Sequence, residues 1–192
     1  MRSITACAVL IATAVWTLAC SGSVATGPVV HEHHNVERGA ATDARVEIDM
    51  SAGDLDVKPG EMTLFAGDFD FNVPDLKPAI AYMVDGSTGV LKVSQGSTSG
   101  SYENSWRLRL DETTPVDLQV DLGAGDVQLA LGRLNLQSLA VSLGAGDLMV
   151  DLRGHRTLKT DAFLGVEATG RLRRGDDSCC RVDAAHRVRQ NQ

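Results

Sequence analysis

The sequence predicts an all-β protein, a stack of short strands that turn at glycine-rich corners. A six-residue motif at residues 122–127 (LGAGDV) returns at residues 143–148 (LGAGDL), and residues 50–55 (MSAGDL) are a looser earlier copy. On both sides of each copy apolar residues alternate with polar ones, which is the pattern of a half-buried strand. The regular return of the motif indicates a β-solenoid-like repeat sheet with Gly-Ala-Gly-Asp corners.

The N-terminus carries the features of an export signal. Residues 4–18 form an almost uninterrupted apolar run behind Arg2, shorter than the roughly 18 to 20 residues that cross a bilayer. Ala19 and Cys20 then lead into a polar stretch, and this arrangement resembles the lipobox of bacterial lipoproteins. We predict a lipoprotein-type signal peptide over residues 1–19 and a lipid anchor on Cys20, with cleavage and free secretion as the alternative.

Residues 20–44 are rich in Gly, Ser, Thr, Val and His and show no periodicity. The segment is therefore predicted to be a flexible tether. It contains His31, Glu32, His33 and His34, which are residue types that bind zinc or copper. A closed site needs four converging ligands, and neighbours in sequence rarely converge without a fold around them. We favour a solvated tether over a metal site.

Residues 45–153 form the predicted β-repeat domain. Its first strand alternates Val46, Ile48 and Met50 with acidic residues. Pro59-Gly60 ends the first unit, and residues 85–89 form a hairpin-type loop. In chain order, the predicted strands centre on residues 46–50, 55–57, 65–73, 79–84, 90–93, 106–110, 116–122, 127–131, 139–143 and 148–152.

The corner residues follow from a change of phase. Apolar positions are even-numbered before Gly123 and odd-numbered after Asp126, so the corner must shift the strand by one residue. We predict that glycine supplies a positive φ twice in each Gly-Ala-Gly-Asp corner, and that aspartate caps the free backbone N–H groups as an Asx-type turn. The predicted corner residues are Gly53, Asp54, Gly123, Gly125, Asp126, Gly144, Gly146 and Asp147.

These corners, together with residues 69–78 (FDFNVPDLKP), residues 89–96 (GVLKVSQG) and the double repeat of residues 122–152, resemble the toast-rack proteins. These are bacterial envelope domains related to LiaF-like and adhesin β-solenoid groups. The resemblance implies an all-β fold of stacked strands. It brings no enzymatic activity and no catalytic residues, and it links the chain to envelope stress sensing or adhesion.

Residues 154–192 depart from the pattern. Residues 159–167 hold at best one more weak strand, and the chain is basic and unpatterned from Arg171 onward. A repeat stack needs a terminal cap, because an open edge pairs with other chains. We interpret the segment either as a divergent cap or as a truncated, disordered tail read out of frame.

Composition limits the classes of partner and of chemistry. Residues 45–152 hold 7 Lys or Arg against 17 Asp or Glu, and this acidic body would repel nucleic acid. Cys179 and Cys180 are adjacent and close almost no loop, so a disulfide framework is excluded. No histidine lies in residues 45–152, which excludes a Ser-His-Asp triad there.

The acidic residues suggest two further kinds of site. Asp54, Asp126 and Asp147 could bind Ca²⁺, but one carboxylate per repeat suits a turn cap better. A pair of carboxylates acting on polysaccharide is an outlier, because most aromatic residues sit at core positions. We predict no catalytic residues, no metal and no cofactor.

The sequence thus predicts a non-enzymatic, exported protein held at the membrane surface of the cell envelope, on the periplasmic or extracellular side. Its partners are the membrane, through the anchor, and an envelope protein. The favoured role is a structural or interaction module of the adhesin-like kind. The alternative is an accessory protein of envelope-stress signalling that binds a membrane partner, and a polysaccharide-active β-helix enzyme is the outlier.

Overall fold

The chain folds into two mixed β-sheets with one hydrophobic core between them. This is a computed structural model, and it describes residues 26–98, 100–153, 164–168, 171–174 and 183–184. Within these residues no helix is long and apolar enough to cross a membrane. The all-β prediction is confirmed.

Fourteen strands and one 3₁₀ turn are described. They are β1 (Val30–Val36), β2 (Asp43–Ala52), β3 (Asp54–Glu61), β4 (Phe65–Phe71), the 3₁₀ turn (Pro74–Leu76), β5 (Ala79–Asp85), β6 (Thr88–Ser94), β7 (Asn104–Asp111), β8 (Val116–Ala124), β9 (Val127–Ala130), β10 (Leu136–Ala145), β11 (Asp147–Asp151), β12 (Leu164–Ala168), β13 (Arg171–Arg174) and β14 (Asp183–Ala184).

Each sheet has seven strands. Sheet A has the order β1-β4-β7-β3-β9-β11-β13, and sheet B has the order β14-β12-β10-β8-β2-β6-β5. Antiparallel pairs occur at one end of each sheet, between β1 and β4, β4 and β7, and β5 and β6. The other pairs are parallel, and β5 with β6 confirms the predicted hairpin.

The three copies of the motif stack in register. Leu122 lies beside Met50 on one neighbouring strand and beside Leu143 on the other. After the corner, Val127 lies between Leu55 and Leu148 in sheet A. All six side chains are buried. The predicted shift from even to odd apolar positions is therefore the step by which the chain passes from sheet B to sheet A.

Aromatic side chains fill the core under the antiparallel part of sheet A. Phe65, Phe69 and Trp106 are fully buried. The rings of Phe69 and Trp106 meet edge to face with centroids 5.2 Å apart, which is a favoured geometry for two aromatic rings. The predicted core-filling strand over residues 65–73 is confirmed as β4.

The prediction of a flexible tether over residues 20–44 is wrong for Val30–Val36. This segment is β1, paired with β4 over its whole length, and β2 already begins at Asp43. Hydrophobic periodicity missed β1 because two of its three inward, half-buried positions are Glu32 and His34, and only the third, Val36, is apolar. His34 packs edge-on against the ring of Phe69 at 5.8 Å.

The repeat also continues past the boundary predicted at residue 153. β12 runs parallel to β10 in sheet B, and β13 runs parallel to β11 in sheet A. Backbone pairing uses N–H and C=O groups, so it persists where the alternation of side chains decays. Cys20, Cys179, Cys180 and the signal peptide of residues 1–19 lie outside the described residues.

Candidate binding pocket

The corners are held by backbone-to-backbone contact between successive copies. Gly53, Gly125 and Gly146 have φ of +135°, +137° and +128°. A Cβ atom added to Gly125 would lie 1.9 Å from the carbonyl oxygen of Gly53. The Gly53 N–H donates a hydrogen bond to the Ala124 carbonyl oxygen at 3.0 Å. The Gly125 N–H donates to the Ala145 carbonyl oxygen at 2.9 Å. The corners therefore form a continuous ridge in which only glycine fits at these positions.

The predicted second positive φ in each corner is wrong. Gly123 and Gly144 are the first glycines of their corners, and neither has a positive φ. A Cβ atom on Gly123 would instead lie 2.3 Å from the carbonyl oxygen of Ser51, and one on Gly144 would lie 2.3 Å from that of Gly123. Glycine is needed there for close approach and not for backbone conformation.

The corner aspartates are exposed and point away from the core. Asp126 accepts a hydrogen bond from the Asp147 N–H of the next copy at 3.4 Å, so it links two corners, whereas the prediction placed the cap within a single corner. Across the described residues, no group of three His, Cys, Asp or Glu side chains is arranged to hold a metal ion.

A polar pocket of about 770 Å³ lies where the first corner meets the antiparallel part of sheet A. The corner contributes Gly53 and Asp54, and the segment entering β7 contributes residues 101–105. The end of β4 and the following residue close another side. The pocket lining includes Asp54, Asp70, Asn72, Tyr102, Glu103 and Arg107.

Asn104 ties the segments around the pocket together. It is 5% exposed, and its Nδ2 donates to the Ala52 carbonyl oxygen at 2.5 Å and to Gln95 Oε1 at 2.9 Å. One side chain thus joins the first corner, the start of β7 and the residue that follows β6. Its Oδ1 is buried and finds no hydrogen-bond partner among the described residues.

Carboxylate, guanidinium and imidazole side chains form a ladder across β1, β4 and β7 beside the pocket. Asp70 Oδ1 lies 2.6 Å from His31 Nδ1, and Asp70 Oδ2 accepts from Arg107 Nη2 at 2.8 Å. Asp68 repeats the arrangement with His33 Nδ1 at 2.6 Å and Arg109 Nη1 at 2.8 Å. We call these six side chains the carboxylate ladder. It fixes the edge strand β1 to the body through pairs that run across the strands.

The ladder keeps both aspartates ionised. Burial raises the pKa of the Asp70 carboxyl, but hydrogen bonds from His31 and Arg107 outweigh burial, and the net pKa lies below its usual value. The pKa of Asp68 is lowered in the same way, against the effect of burial, by Arg109 and His33. A general acid needs a raised pKa, so Asp70 is suited to binding and not to proton donation.

The charge of the pocket restricts its ligand. Asp54, Asp70 and Glu103 bring three carboxylates, and Arg107 already pairs with Asp70. An anionic ligand would be repelled. The half-buried ring of Tyr102 provides an apolar surface beside these polar groups. A neutral, hydroxyl-bearing ligand or a cationic one matches this lining.

Sequence reasoning identified the corner part of this pocket and missed the rest. Gly53 and Asp54 were assigned as corner residues, whereas Asp70, Asn104 and Arg107 were not singled out. One signal was available: Asp68 and Asp70 match Arg107 and Arg109 in spacing and are opposite in charge. Such a match between two predicted strands indicates that they are neighbours.

Comparison with known proteins gives a matching family and several similar solved structures. Residues 25–170 match the family described as the N-terminal domain of toast_rack, DUF2154. A crystal structure of a proposed cell adhesion protein from Clostridium sporogenes ATCC 15579 is 28% identical, with a TM-score of 0.68 over 75% of this chain and 72% of that chain. No curated protein matches the sequence.

Two proposed adhesins are more distant. The one from Parabacteroides distasonis ATCC 8503 is 10% identical, with a TM-score of 0.36 over 77% of this chain and 65% of its own. The one from Parabacteroides merdae ATCC 43184 is 13% identical, with a TM-score of 0.37 over 79% of this chain and 64% of its own. Both TM-scores are too low to carry a functional conclusion.

Proposed function

This chain belongs to the toast-rack family, and from that membership we propose that it is a non-enzymatic, adhesin-like module that binds a ligand at the cell envelope. The observation that carries the proposal is the open polar pocket built on the first corner. The likeness to the proposed cell adhesion protein of Clostridium sporogenes supports a binding role. The lowered pKa of Asp70 argues against this carboxyl as a general acid.

The proposed location is the membrane surface, with export directed by residues 1–19 and anchoring through a lipid on Cys20. Thr26 already lines the pocket, and the Gly27 N–H donates to the Asn72 carbonyl oxygen at 2.9 Å. Six residues extend at most about 20 Å, at roughly 3.3 to 3.6 Å per residue. An anchor on Cys20 would therefore hold the pocket close to the membrane, where it faces ligands of the envelope itself.

The proposed ligand is a neutral or cationic glycan. Sugars present hydroxyl groups to carboxylate and amide side chains and an apolar ring face to an aromatic side chain. Asp54, Glu103 and Tyr102 supply these groups within one pocket. Carboxylates that accept hydrogen bonds from sugar hydroxyls disfavour glycans that carry their own negative charge.

The parallel part of the fold is proposed to be a short β-solenoid. Leu118 pairs with Leu139, 21 residues later, and Leu139 pairs in turn with Leu164. Each such unit contributes one strand to sheet B and then one to sheet A. This arrangement supports a coil of successive rungs with the pocket at the end that carries β1 and β5.

Binding is tested on an array of neutral, cationic and anionic glycans with the purified protein. We expect retention on neutral or cationic glycans and its loss in Asp54→Asn and Tyr102→Ala. Asp126→Asn is the matched control, because Asp126 is the equivalent corner residue outside the pocket, and it should bind like the parent. Equal loss in Asp54→Asn and Asp126→Asn, or binding to anionic glycans alone, would refute the pocket as the ligand site.

A further inference from the structure

β5 is an edge strand that lacks the features by which sheets prevent edge-to-edge pairing. It pairs with β6 on one side, and its other backbone edge lies at the end of sheet B. Its sequence, AIAYMVD, has Asp85 as its one charged residue and contains no proline or lysine. Met83 and Val84 are 64% and 41% exposed. Natural edge strands usually carry charges, prolines or bulges that block a further strand.

The corresponding edge of sheet A differs in this respect. β1 carries His31, Glu32, His33 and His34, and side chains of the carboxylate ladder and Lys77 pair with them. Charged groups along an edge disfavour the addition of another strand. Of the two edges at this end of the fold, β5 is the one suited to pairing.

The two faces of β5 are distinct. Ile80 and Tyr82 lie beside the buried Val93 and Leu91 of β6, so even-numbered residues belong to the core face. Met83 lies on the outer face, beside Val90. Val84 lies on the core face but is 41% exposed, because among the described residues no strand pairs with β5 at this edge.

A second copy of β5 complements the first. A twofold axis perpendicular to the sheet requires that paired residues share a face. With the axis at Tyr82, the midpoint of Ala79–Asp85, all seven residues find a partner. Ile80 then meets Val84 of the second copy on the core face, and Ala81 meets Met83 of the second copy on the outer face.

The same register avoids repulsion between charges. Each Asp85 lies opposite Ala79 of the second copy, and the two Asp85 carboxylates lie at opposite ends of the seam. Six residues of strand separate them by about 20 Å, at roughly 3.4 Å per residue. That distance exceeds the Debye length of about 8 Å at physiological ionic strength. An acidic protein can therefore pair with itself here without opposing like charges.

We propose that β5 is a homodimer interface, at which two copies join their B sheets through antiparallel β5–β5 pairing centred on Tyr82. Ile80 and Val84 extend the core across the seam, and backbone N–H and C=O groups of the two edges pair. The pocket lies in sheet A and the first corner, away from this seam, so a dimer presents two pockets.

The oligomeric state of the purified protein tests the interface by sedimentation over a concentration series. We expect a dimer for the parent, a monomer for Met83→Lys/Val84→Lys at the same concentrations, and a dimer for Met149→Lys. Met149 is the matched control, since it is an exposed methionine on a strand of sheet A. A monomeric parent, a double variant that remains dimeric, or equal dissociation of the control would each overturn the proposal.

Cross-linking tests the register. In a background with Cys7→Ser, Cys20→Ser, Cys179→Ser and Cys180→Ser, copies carrying Ala81→Cys are mixed with copies carrying Met83→Cys under mild oxidation. Directly opposed residues of an antiparallel pair have Cα atoms about 4.5 to 5.5 Å apart, within the range of a disulfide. We expect a heterodimeric disulfide to dominate. Dominance of Ala81→Cys or Met83→Cys homodimers would contradict an axis at Tyr82, whatever the outcome of glycan binding.

Discussion

A Cβ atom built on Gly146 would lie 1.9 Å from the carbonyl oxygen of Gly125 in the preceding corner. The same distance separates a Cβ on Gly125 from the carbonyl oxygen of Gly53. The motif therefore recurs because each corner rests directly on the backbone of the one before it. The proposed ligand site lies where this ridge ends, at the corner that borders the pocket.

Gly125→Ala should strongly destabilise the protein. The new Cβ meets backbone atoms at a residue with φ of +137°, so neither rotation of a side chain nor local relaxation removes the clash. We expect a loss of about 3 kcal/mol or more in the free energy of unfolding, measured by urea titration. Gly39→Ala is the control, because its φ is +61° but no atom lies within 4 Å; its loss should be about 1 kcal/mol. Equal losses would refute the stacking account.

Gly123→Ala should destabilise the protein for a different reason. Its φ is not positive, but an added Cβ would lie 2.3 Å from the carbonyl oxygen of Ser51. Gly27→Ala is the comparison, since its Cβ would meet its nearest atom, the Asn72 carbonyl oxygen, at 3.7 Å. We expect a loss above about 2 kcal/mol for Gly123→Ala and a change within about 0.5 kcal/mol for Gly27→Ala. A thermal melt of Gly123→Ala that matches the parent would show that the corners separate freely.

The carboxylate ladder should contribute to acid lability. The folded pKa values of Asp68 and Asp70 lie below the ordinary value of 3.8. Their stabilisation is therefore fully present above the unfolded pKa and is lost as pH falls through the folded pKa. Urea titrations at about pH 6 and about pH 2.5 should show a smaller acid loss for Asp68→Asn/Asp70→Asn than for the parent. If the variant loses as much free energy of unfolding on acidification as the parent does, the ladder is not a source of the acid lability.

Asn104→Ala should weaken both stability and the pocket. The substitution leaves the Ala52 carbonyl oxygen and Gln95 Oε1 without the donor that joins them, at a cost of about 1 to 3 kcal/mol. Asn135→Ala is the control, because Asn135 donates to the Thr113 carbonyl oxygen outside the pocket. We expect weaker glycan binding for Asn104→Ala and binding like that of the parent for Asn135→Ala. If both variants bind like the parent, the amide does not organise the pocket.

The repeat and most strands could be predicted because alternation of apolar residues is a local signal. The burial of Leu122 and Leu143 can be predicted from the few residues on either side of each. β1 could not be predicted in this way, since Glu32 and His34 face inward and find their partners on β4 and elsewhere in the fold.

The pocket depends on pairing between distant segments. Asp54, Asp70 and Arg107 come from three strands that are separated in sequence and adjacent in sheet A. Their proximity follows from the order β4-β7-β3, which no local pattern encodes. The matched spacing of the Asp68/Asp70 and Arg107/Arg109 pairs was the nearest available indication.

An NMR titration with a neutral N-acetylated oligosaccharide, chosen as the probe from the array, shows whether the pocket on the first corner is the ligand site. We expect saturable shifts of backbone amides around the pocket, at Gly53, Asp54, Glu103 and Asn104. Amides along the rest of the ridge, at Gly125 and Gly146, should remain unchanged. Chemical-shift changes along the whole row of corners would contradict the pocket as the ligand site. So would binding that leaves the pocket amides unchanged.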